Sequence, residues 1–313
     1  MRNIFSLLLS ATCVAAHGFV HRVIIDGTTY IGNLPNGVDA NPSIVRQINA
    51  VDPVKGADNP YLNCGQDAQL ASLVANAMPG STISFDWRGG DLSFWPHNIG
   101  PMMTYMASCG NITCGHYNST QAKWFLINEV GQFPNGTWAQ NNLKQGSMAT
   151  VQLPSDLTAG NYLIRHEIIA LHLANEMGGA EFYPSCTQLR VGGSQTGTPL
   201  PTDLVSLPGA YKDTDPGLYD PDVFNVGANY TFPGPPVASF ITASGTSTGS
   251  PSPSSTPPAS TSSPSGSCRL RRKGTTTNAT NSRRSLLYHR QIQRPRSFSR
   301  IMRSVIFGDH SYF

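Results

Sequence analysis

The alternation that decides the fold class is clearest in residues 82–90, which read TISFDWRGG. Ile83, Phe85 and Trp87 alternate with polar residues, and two glycines end the run. Strict alternation of this kind is typical of a half-buried β-strand, and a pair of glycines is typical of a turn. The segment therefore predicts a strand that places one face against a hydrophobic core.

Similar short runs recur on both sides of this segment. They lie at residues 20–25, 102–106, 124–127, 148–153, 162–171 and 188–191. The chain contains 30 glycines and 24 prolines, so turns are frequent, and its sequence shows no long amphipathic helix. Many short strands separated by turn signals are typical of two packed sheets. We therefore predict an all-β domain, a β-sandwich with long loops, over residues 17–240.

Residues 1–16 have the pattern of a secretory signal peptide. Arg2 precedes an apolar run at residues 4–9, and the small residues VAA at 14–16 form a cleavage site. Cleavage after Ala16 would make His17 the first residue of a secreted, extracellular protein. The sequence has no run of about 18 apolar residues, so we predict no membrane span.

Charge divides the remaining chain into two parts. Residues 17–268 carry nine basic and seventeen acidic side chains, a net charge of −8, whereas residues 269–313 contain eleven basic ones. The acidic part is a poor match for nucleic acid, because phosphate contacts need clustered Lys and Arg. In residues 243–267, 23 of 25 are Ser, Thr, Pro or Gly. We interpret residues 241–267 as an extended linker and residues 268–313 as a disordered basic tail.

Four cysteines lie between the signal peptide and the linker, and Cys268 follows the linker. Secretion favours disulfide bonds among the four. Their spacing leaves three pairings open, of which we favour Cys109 with Cys114 and Cys64 with Cys186. Five Asn-x-Ser/Thr sequons predict glycosylation at the surface, at Asn111, Asn118, Asn135, Asn229 and Asn278.

A histidine at the start of the mature chain would offer two nitrogens to one metal ion, the α-amine and ring Nδ1 of His17. A second imidazole would complete a three-nitrogen set, and tetragonal nitrogen ligands favour Cu(II). We choose His97 for this role because Pro96 and Pro101 stiffen its loop. The other histidines considered are His21, His116, His166 and His172.

Four sequence blocks carry a family resemblance. They read HGFV at residues 17–20, WPHNIGPMMTY at 95–105, YLIRHEIIALH at 162–172 and GAEFYPSC at 179–186. Together they resemble the fungal lytic polysaccharide monooxygenases of auxiliary activity family 9, over residues 17 to about 236. The resemblance implies an immunoglobulin-like β-sandwich that binds one copper ion. It also implies the two disulfide bonds favoured above.

The resemblance also implies roles for particular side chains. His17 and His97 would bind the copper, and Tyr183 would lie at its distant axial position. His166 and Glu181 would contact oxygen species near the copper. The family has glutamine where this chain has Glu181, and an ionised glutamate accepts hydrogen bonds but cannot donate them. We expect this carboxylate either to stabilise protonated His166 and raise the pKa of its imidazole, or to be itself protonated and imitate the amide.

The function implied by the resemblance is oxidative. An external electron donor and O2 or H2O2 would drive copper-dependent cleavage of a β-1,4-glucan such as cellulose, at C1 or C4, by a monomeric enzyme. Phe224 and Tyr219 are candidates for stacking on the sugar rings. A glycoside hydrolase would need a pair of carboxylates flanking a cleft, and no motif indicates one. A secreted, non-catalytic copper- or cell-wall-binding protein of the same fold is the alternative that Glu181 supports.

Overall fold

Two β-sheets are built from nine strands within residues 16–35, 37, 41–225 and 229–244, the residues that the computed structural model describes. The strands are β1 Gly18–Ile25, β2 Thr28–Ile31, β3 Ala75–Ala77, β4 Thr82–Gly89, β5 Met102–Ser108, β6 Trp124–Val130, β7 Ala149–Gln152, β8 Gly160–Ala170 and β9 Glu181–Val191. One sheet has the order β2-β1-β4-β7 and the other β3-β9-β8-β5-β6. The predicted β-sandwich is confirmed.

Helical segments are short. Two α-helices are described, α1 at Gln140–Lys144 and α2 at Ser239–Ser244. Single 3-10 turns occur at Pro60–Leu62, Cys114–His116, Ser119–Gln121 and Pro201–Asp203. Among the described residues, none of the helices has the length and apolar character that crossing a membrane requires. Residues 1–15 of the predicted signal peptide, residues 245–313 with the tail and most of the linker, and Asn278 and Cys268 lie outside the described residues.

The alternating segment that predicted a strand is β4. Ile83, Phe85 and Trp87 are all buried in the core between the sheets, as the alternation requires. Asp86 is buried as well, because Arg22 and Arg88 pair with its two carboxylate oxygens at 2.7 and 2.8 Å. The ion pairs offset the cost of removing this charge from water.

The two longest strands, β8 and β9, pair in antiparallel register along their whole length. Residues 188–191, predicted as a strand, are only the last part of β9. Pro184 and several polar residues obscure the hydrophobic pattern in its first half, although that half pairs fully with β8. The register places Ala170 opposite Glu181, Ile168 opposite Tyr183 and His166 opposite Ser185.

The two faces of β8 and β9 pack against different layers. One face, which includes Ile168 and Tyr183, joins the core between the sheets. The other, which includes Ile169 and Phe182, joins a second core under the loops. Both predicted disulfide bonds are confirmed, Cys64–Cys186 and Cys109–Cys114. The first ties the loop before β3 to β9. The four sequon asparagines within the described residues are exposed, namely Asn111, Asn118, Asn135 and Asn229.

Candidate metal centre

The candidate metal ligands meet at one end of the sandwich. His17 directly precedes β1, and His97 lies in the loop between β4 and β5. Glu181 and Tyr183 are the first and third residues of β9. These elements are far apart in the sequence, and the antiparallel sheets bring their ends together.

The loop that carries His97 is anchored by its neighbours. Trp95 is fully buried, and its ring meets the rings of His97 and Tyr183 edge-on, with centroids 5.4 and 4.9 Å away. Its indole N–H donates to Gln140 at 3.3 Å. Gly100 has φ of +122°, and a Cβ there would overlap the carbonyl of Ile169. Packing and close backbone approach therefore fix this loop, in addition to its prolines.

Three residues predicted from the sequence, His17, His97 and Tyr183, lie close together. His97 Nε2 lies 3.2 Å from the Tyr183 hydroxyl. The Tyr183 ring centroid is 5.7 Å from that of His97 and 6.4 Å from that of His17. His17 Nδ1 lies 3.0 Å from an oxygen of Asp52, an exposed carboxylate that the sequence did not single out. Because Nδ1 is the ring atom assigned to the metal, Asp52 and a metal ion would compete for it.

Glu181 lies beside these groups and is almost fully buried. Its Oε2 accepts a hydrogen bond from the Tyr183 hydroxyl at 2.9 Å and lies 3.7 Å from His97 Nε2. Its Oε1 pairs with Lys55 Nζ at 3.0 Å. Burial opposes ionisation of this carboxyl, but the hydrogen bonds from Lys55 and Tyr183 outweigh it and hold its pKa below the ordinary value.

The prediction for His166 is wrong. Its side chain is 1% exposed and packs between the sheets, 4.6 Å from the Phe85 ring, and its Nδ1 accepts a hydrogen bond from Trp87 at 3.1 Å. Burial, with the charge of Arg165, lowers the pKa of His166 to about 3, whereas the sequence predicted a raised value. No contact with Glu181 is found among the described residues.

The histidine beside Glu181 is His172, which the sequence analysis left without a role. His172 Nε2 lies 3.6 Å from Glu181 Oε2, and its ring stacks on His97 with centroids 4.5 Å apart and planes 11° apart. His166 and His172 are six residues apart, so a strand's period of two directs both to the same face. Only the second lies past the end of β8, where the site is. That spacing, combined with the end of the strand, was the signal that pointed to His172.

The chemistry of the donor set fits copper. Burial and neighbouring His172 lower the pKa of His97 to about 4, so its imidazole is neutral near pH 7, as a metal ligand must be. Burial and the Glu181 carboxylate raise the pKa of the Tyr183 hydroxyl far above its ordinary value, so this oxygen is a neutral phenol. Neutral imidazoles suit copper better than they suit hard cations such as calcium.

A second donor set overlaps the first. Within the part of the chain that the structure describes, ligand atoms of His97, His172 and Glu181 lie within 4.8 Å of one another. His97 belongs to both sets. His17, which would supply its α-amine and Nδ1, belongs only to the set predicted from the sequence. The resemblance favours His17, and the variants discussed below separate the two sets.

The two aromatic residues predicted to contact sugar lie in the segment before Tyr230. Phe224 is 56% exposed, and Tyr219 is at the border of exposure. Phe224 lines a surface pocket of about 250 Å³ together with Trp138, Asn141 and Asn98, the residue after His97. Aromatic rings beside amide groups are typical of surfaces that bind sugars.

Comparison with known proteins adds independent evidence. The model of Auxiliary Activity family 9 (formerly GH61) matches residues 17–230, beginning at His17. AA9 family lytic polysaccharide monooxygenase D of Gloeophyllum trabeum is 53% identical over 239 residues, which cover 76% of this chain and 69% of the relative. AA9 family lytic polysaccharide monooxygenase B of Heterobasidion irregulare is 37% identical over 243 residues, which cover 74% and 96% of the two chains.

Solved structures agree with these matches. The extended catalytic domain of H. jecorina LPMO9A superposes with a TM-score of 0.65 at 32% identity, covering 71% of this chain and 91% of its own. A cellulose-active polysaccharide monooxygenase from M. thermophila gives a TM-score of 0.62 at 32% identity, with coverage of 71% and 98%. The family match, the sandwich and the clustered histidines lead to one conclusion: this chain belongs to auxiliary activity family 9, whose members are copper-dependent lytic polysaccharide monooxygenases.

Proposed function

We propose that this monooxygenase oxidises β-1,4-glucan chains, with cellulose as its substrate, at C1, C4 or both. The observation that carries the proposal is the meeting of His17, His97 and Tyr183 at one end of the sandwich. The M. thermophila structure in the same family is titled cellulose-active, which supports this substrate class.

His17 and His97 would hold one copper ion, and the α-amine of His17 would supply a third nitrogen once Ala16 is removed. The family model begins at His17, which supports cleavage at this position and secretion of the enzyme. When bound, copper supplies the one-electron redox chemistry with which an external electron donor and O2 or H2O2 attack a sugar C–H bond.

The remaining side chains of the site would control hydrogen bonding around the metal position. The Tyr183 hydroxyl donates to Glu181, which leaves its oxygen lone pairs available on the side of His97. His172 takes the place first assigned to His166. Its side chain is 34% exposed and its Nε2 is directed at the site, so it can hold a proton where oxygen and substrate arrive.

The substrate would lie across the exposed end that contains these residues. Asn98 joins His97 to the pocket lined by Phe224, so a sugar stacked on Phe224 would extend a chain that passes the metal position. Tyr219 is the second stacking candidate. We propose that the enzyme acts as a monomer, because the described contacts complete the site from residues of one chain.

The test is to identify the products that the mature protein, beginning at His17 and loaded with copper, releases from cellulose with ascorbate. Mass spectrometry should find aldonic acids, C4-oxidised ends or both, and only with the reductant. Plain oligosaccharides released without reductant would indicate a hydrolase instead. Tight copper binding without oxidised products from several glucans would indicate a non-catalytic copper- or wall-binding protein.

A further inference from the structure

We propose that Lys55 is a positioning residue of the metal centre, which holds the Glu181 carboxylate in place and cancels its charge. The proposal rests on the proposed copper-dependent oxidation at this site and adds a residue to it. Two observations support it: the contacts of the Glu181 carboxylate, and the backbone pairing that positions Lys55.

The two carboxylate oxygens of Glu181 contact different partners. Oε1 pairs with Lys55 Nζ at 3.0 Å, whereas Oε2 accepts the Tyr183 hydroxyl at 2.9 Å. The carboxylate is 7% exposed, so most of its hydration has been removed. A buried carboxylate is costly without a counter-charge. Among the described residues, Lys55 is the one lysine or arginine that pairs with it.

Lys55 is held in position although its side chain is 44% exposed. The preceding residue, Val54, exchanges two backbone hydrogen bonds with Phe182, at 2.8 and 3.0 Å. The bridge is antiparallel, so the residue after Val54 lies beside the residue before Phe182. These two residues are Lys55 and Glu181. Lys55 Nζ also donates to the carbonyl of Gly179 at 3.2 Å. Two acceptors and a fixed backbone distinguish it from an ordinary surface lysine, whose ion pairs contribute little.

The position of the Glu181 carboxylate determines which hydrogen-bond acceptor and which charge face Tyr183 and the two histidines. With Oε1 held by Lys55, only Oε2 faces the site, and the Tyr183 hydroxyl donates to it. His97 Nε2 and His172 Nε2 lie 3.7 and 3.6 Å from the same oxygen, just beyond hydrogen-bond distance. Without Lys55, the carboxylate would be free to turn toward these imidazoles, and it would bring an uncompensated negative charge to the metal position.

The variant Lys55→Met tests this role, because methionine keeps the aliphatic stem and removes the charge. A negative charge favours Cu(II) over Cu(I), so the ratio of Cu(II) to Cu(I) affinity should rise roughly fivefold. Redox titration gives this ratio, and electron paramagnetic resonance of bound Cu(II) reports the change around Tyr183. Lys55→Arg should restore both. Lys144→Met removes the same charge from an exposed position on α1 and should change neither.

A double-mutant cycle with Glu181→Gln separates positioning from general charge. In the Glu181→Gln background, Lys55→Met should have less than half of its effect in the parent, because the carboxylate it holds is gone. Equal effects in both backgrounds, or equality with Lys144→Met, would overturn the proposal. Thermal unfolding of the metal-free proteins checks that each variant is folded, and Lys55→Gln, which also removes the charge, replaces Lys55→Met in the cycle if that variant is not folded.

The outcomes also separate this proposal from the proposed function. If the parent oxidises cellulose and the cycle shows no coupling, only the role of Lys55 is rejected. If the parent binds copper and shows the coupling but forms no oxidised products, the role of Lys55 stands and the proposed function is rejected. A parent that binds no copper rejects both.

Discussion

His166 and His172 are six residues apart, His166 within β8 and His172 in the turn that follows it, and they have different environments. His166 is sealed between the sheets by Phe85 and Trp87, whereas His172 stacks on His97 beside Glu181. The residue type is identical and the spacing is even, so neither decides the role. Distance along the strand decides it, because the sandwich is closed in its middle and open at its end.

Two ion pairs, one on β8 and one at the start of β9, also differ in whether they lie in the interior or at the open end. Arg165 and Glu167 are fully buried on the other face of β8, where Tyr211 donates to Glu167 at 2.8 Å. Arg165 also donates to the carbonyls of Leu62 and Asn63, and so fastens that loop to the sheet. Lys55 and Glu181 form their pair at the open end. The interior pair stabilises the scaffold, and the pair at the end adjusts the site.

The largest effect is expected for His97→Ala, which removes one of the two imidazoles proposed to bind copper at the open end of the sandwich. Copper affinity should fall by more than about 100-fold, the upper range for residues that only support metal ligands. The metal-free variant should still fold, with a somewhat lower midpoint of thermal unfolding, because the His97 side chain is largely buried and packs against Trp95 and His172. Isothermal titration with Cu(II) measures the affinity. His116→Ala, at an exposed position, serves as the control. Equal affinity in the two variants would place the metal elsewhere.

The next largest effect is expected for His172→Ala, which leaves the ligands His17 and His97 in place. Oxidised products should form about 10- to 100-fold more slowly, as is usual when a residue next to a metal ligand is removed. Copper affinity should stay within about threefold of the parent. A loss of copper binding as large as that of His97→Ala would instead show that His97, His172 and Glu181 form the metal site.

The complementary variant, His166→Leu, should act on stability. It leaves the indole N–H of Trp87 buried without its acceptor, which costs about 1–3 kcal/mol. Urea unfolding measures this loss, and His166→Gln, which keeps an acceptor, should recover part of it. The folded fraction should keep its rate of product formation. A stable variant with a large loss of rate would return His166 to the site and abolish the contrast with His172.

The sequence predicted the scaffold better than it predicted the site. Alternation identified β4, and the blocks around His17, His97 and Tyr183 named residues that the fold brings together. The choice of His166 over His172 came from matching the block at residues 162–172 to the family, and strand periodicity could not correct it, because the two positions are an even number of residues apart. Lys55 was missed because its contact with Glu181 depends on the bridge between Val54 and Phe182, a pairing distant in the sequence.

The smallest effect concerns pH, and it tests the burial of His166 through stability alone. The pKa of His166 is about 3 in the folded protein, against an ordinary value near 6.5. The unfolded state therefore binds a proton that the folded state refuses, and stability falls as pH decreases from about 6.5 toward 3. The expected slope is about 1.4 kcal/mol per pH unit. The parent should lose its advantage over His166→Gln by this amount between pH 6 and pH 5. Other titrating groups are common to both proteins and cancel, so parallel stability curves would show that His166 takes up a proton within the folded core.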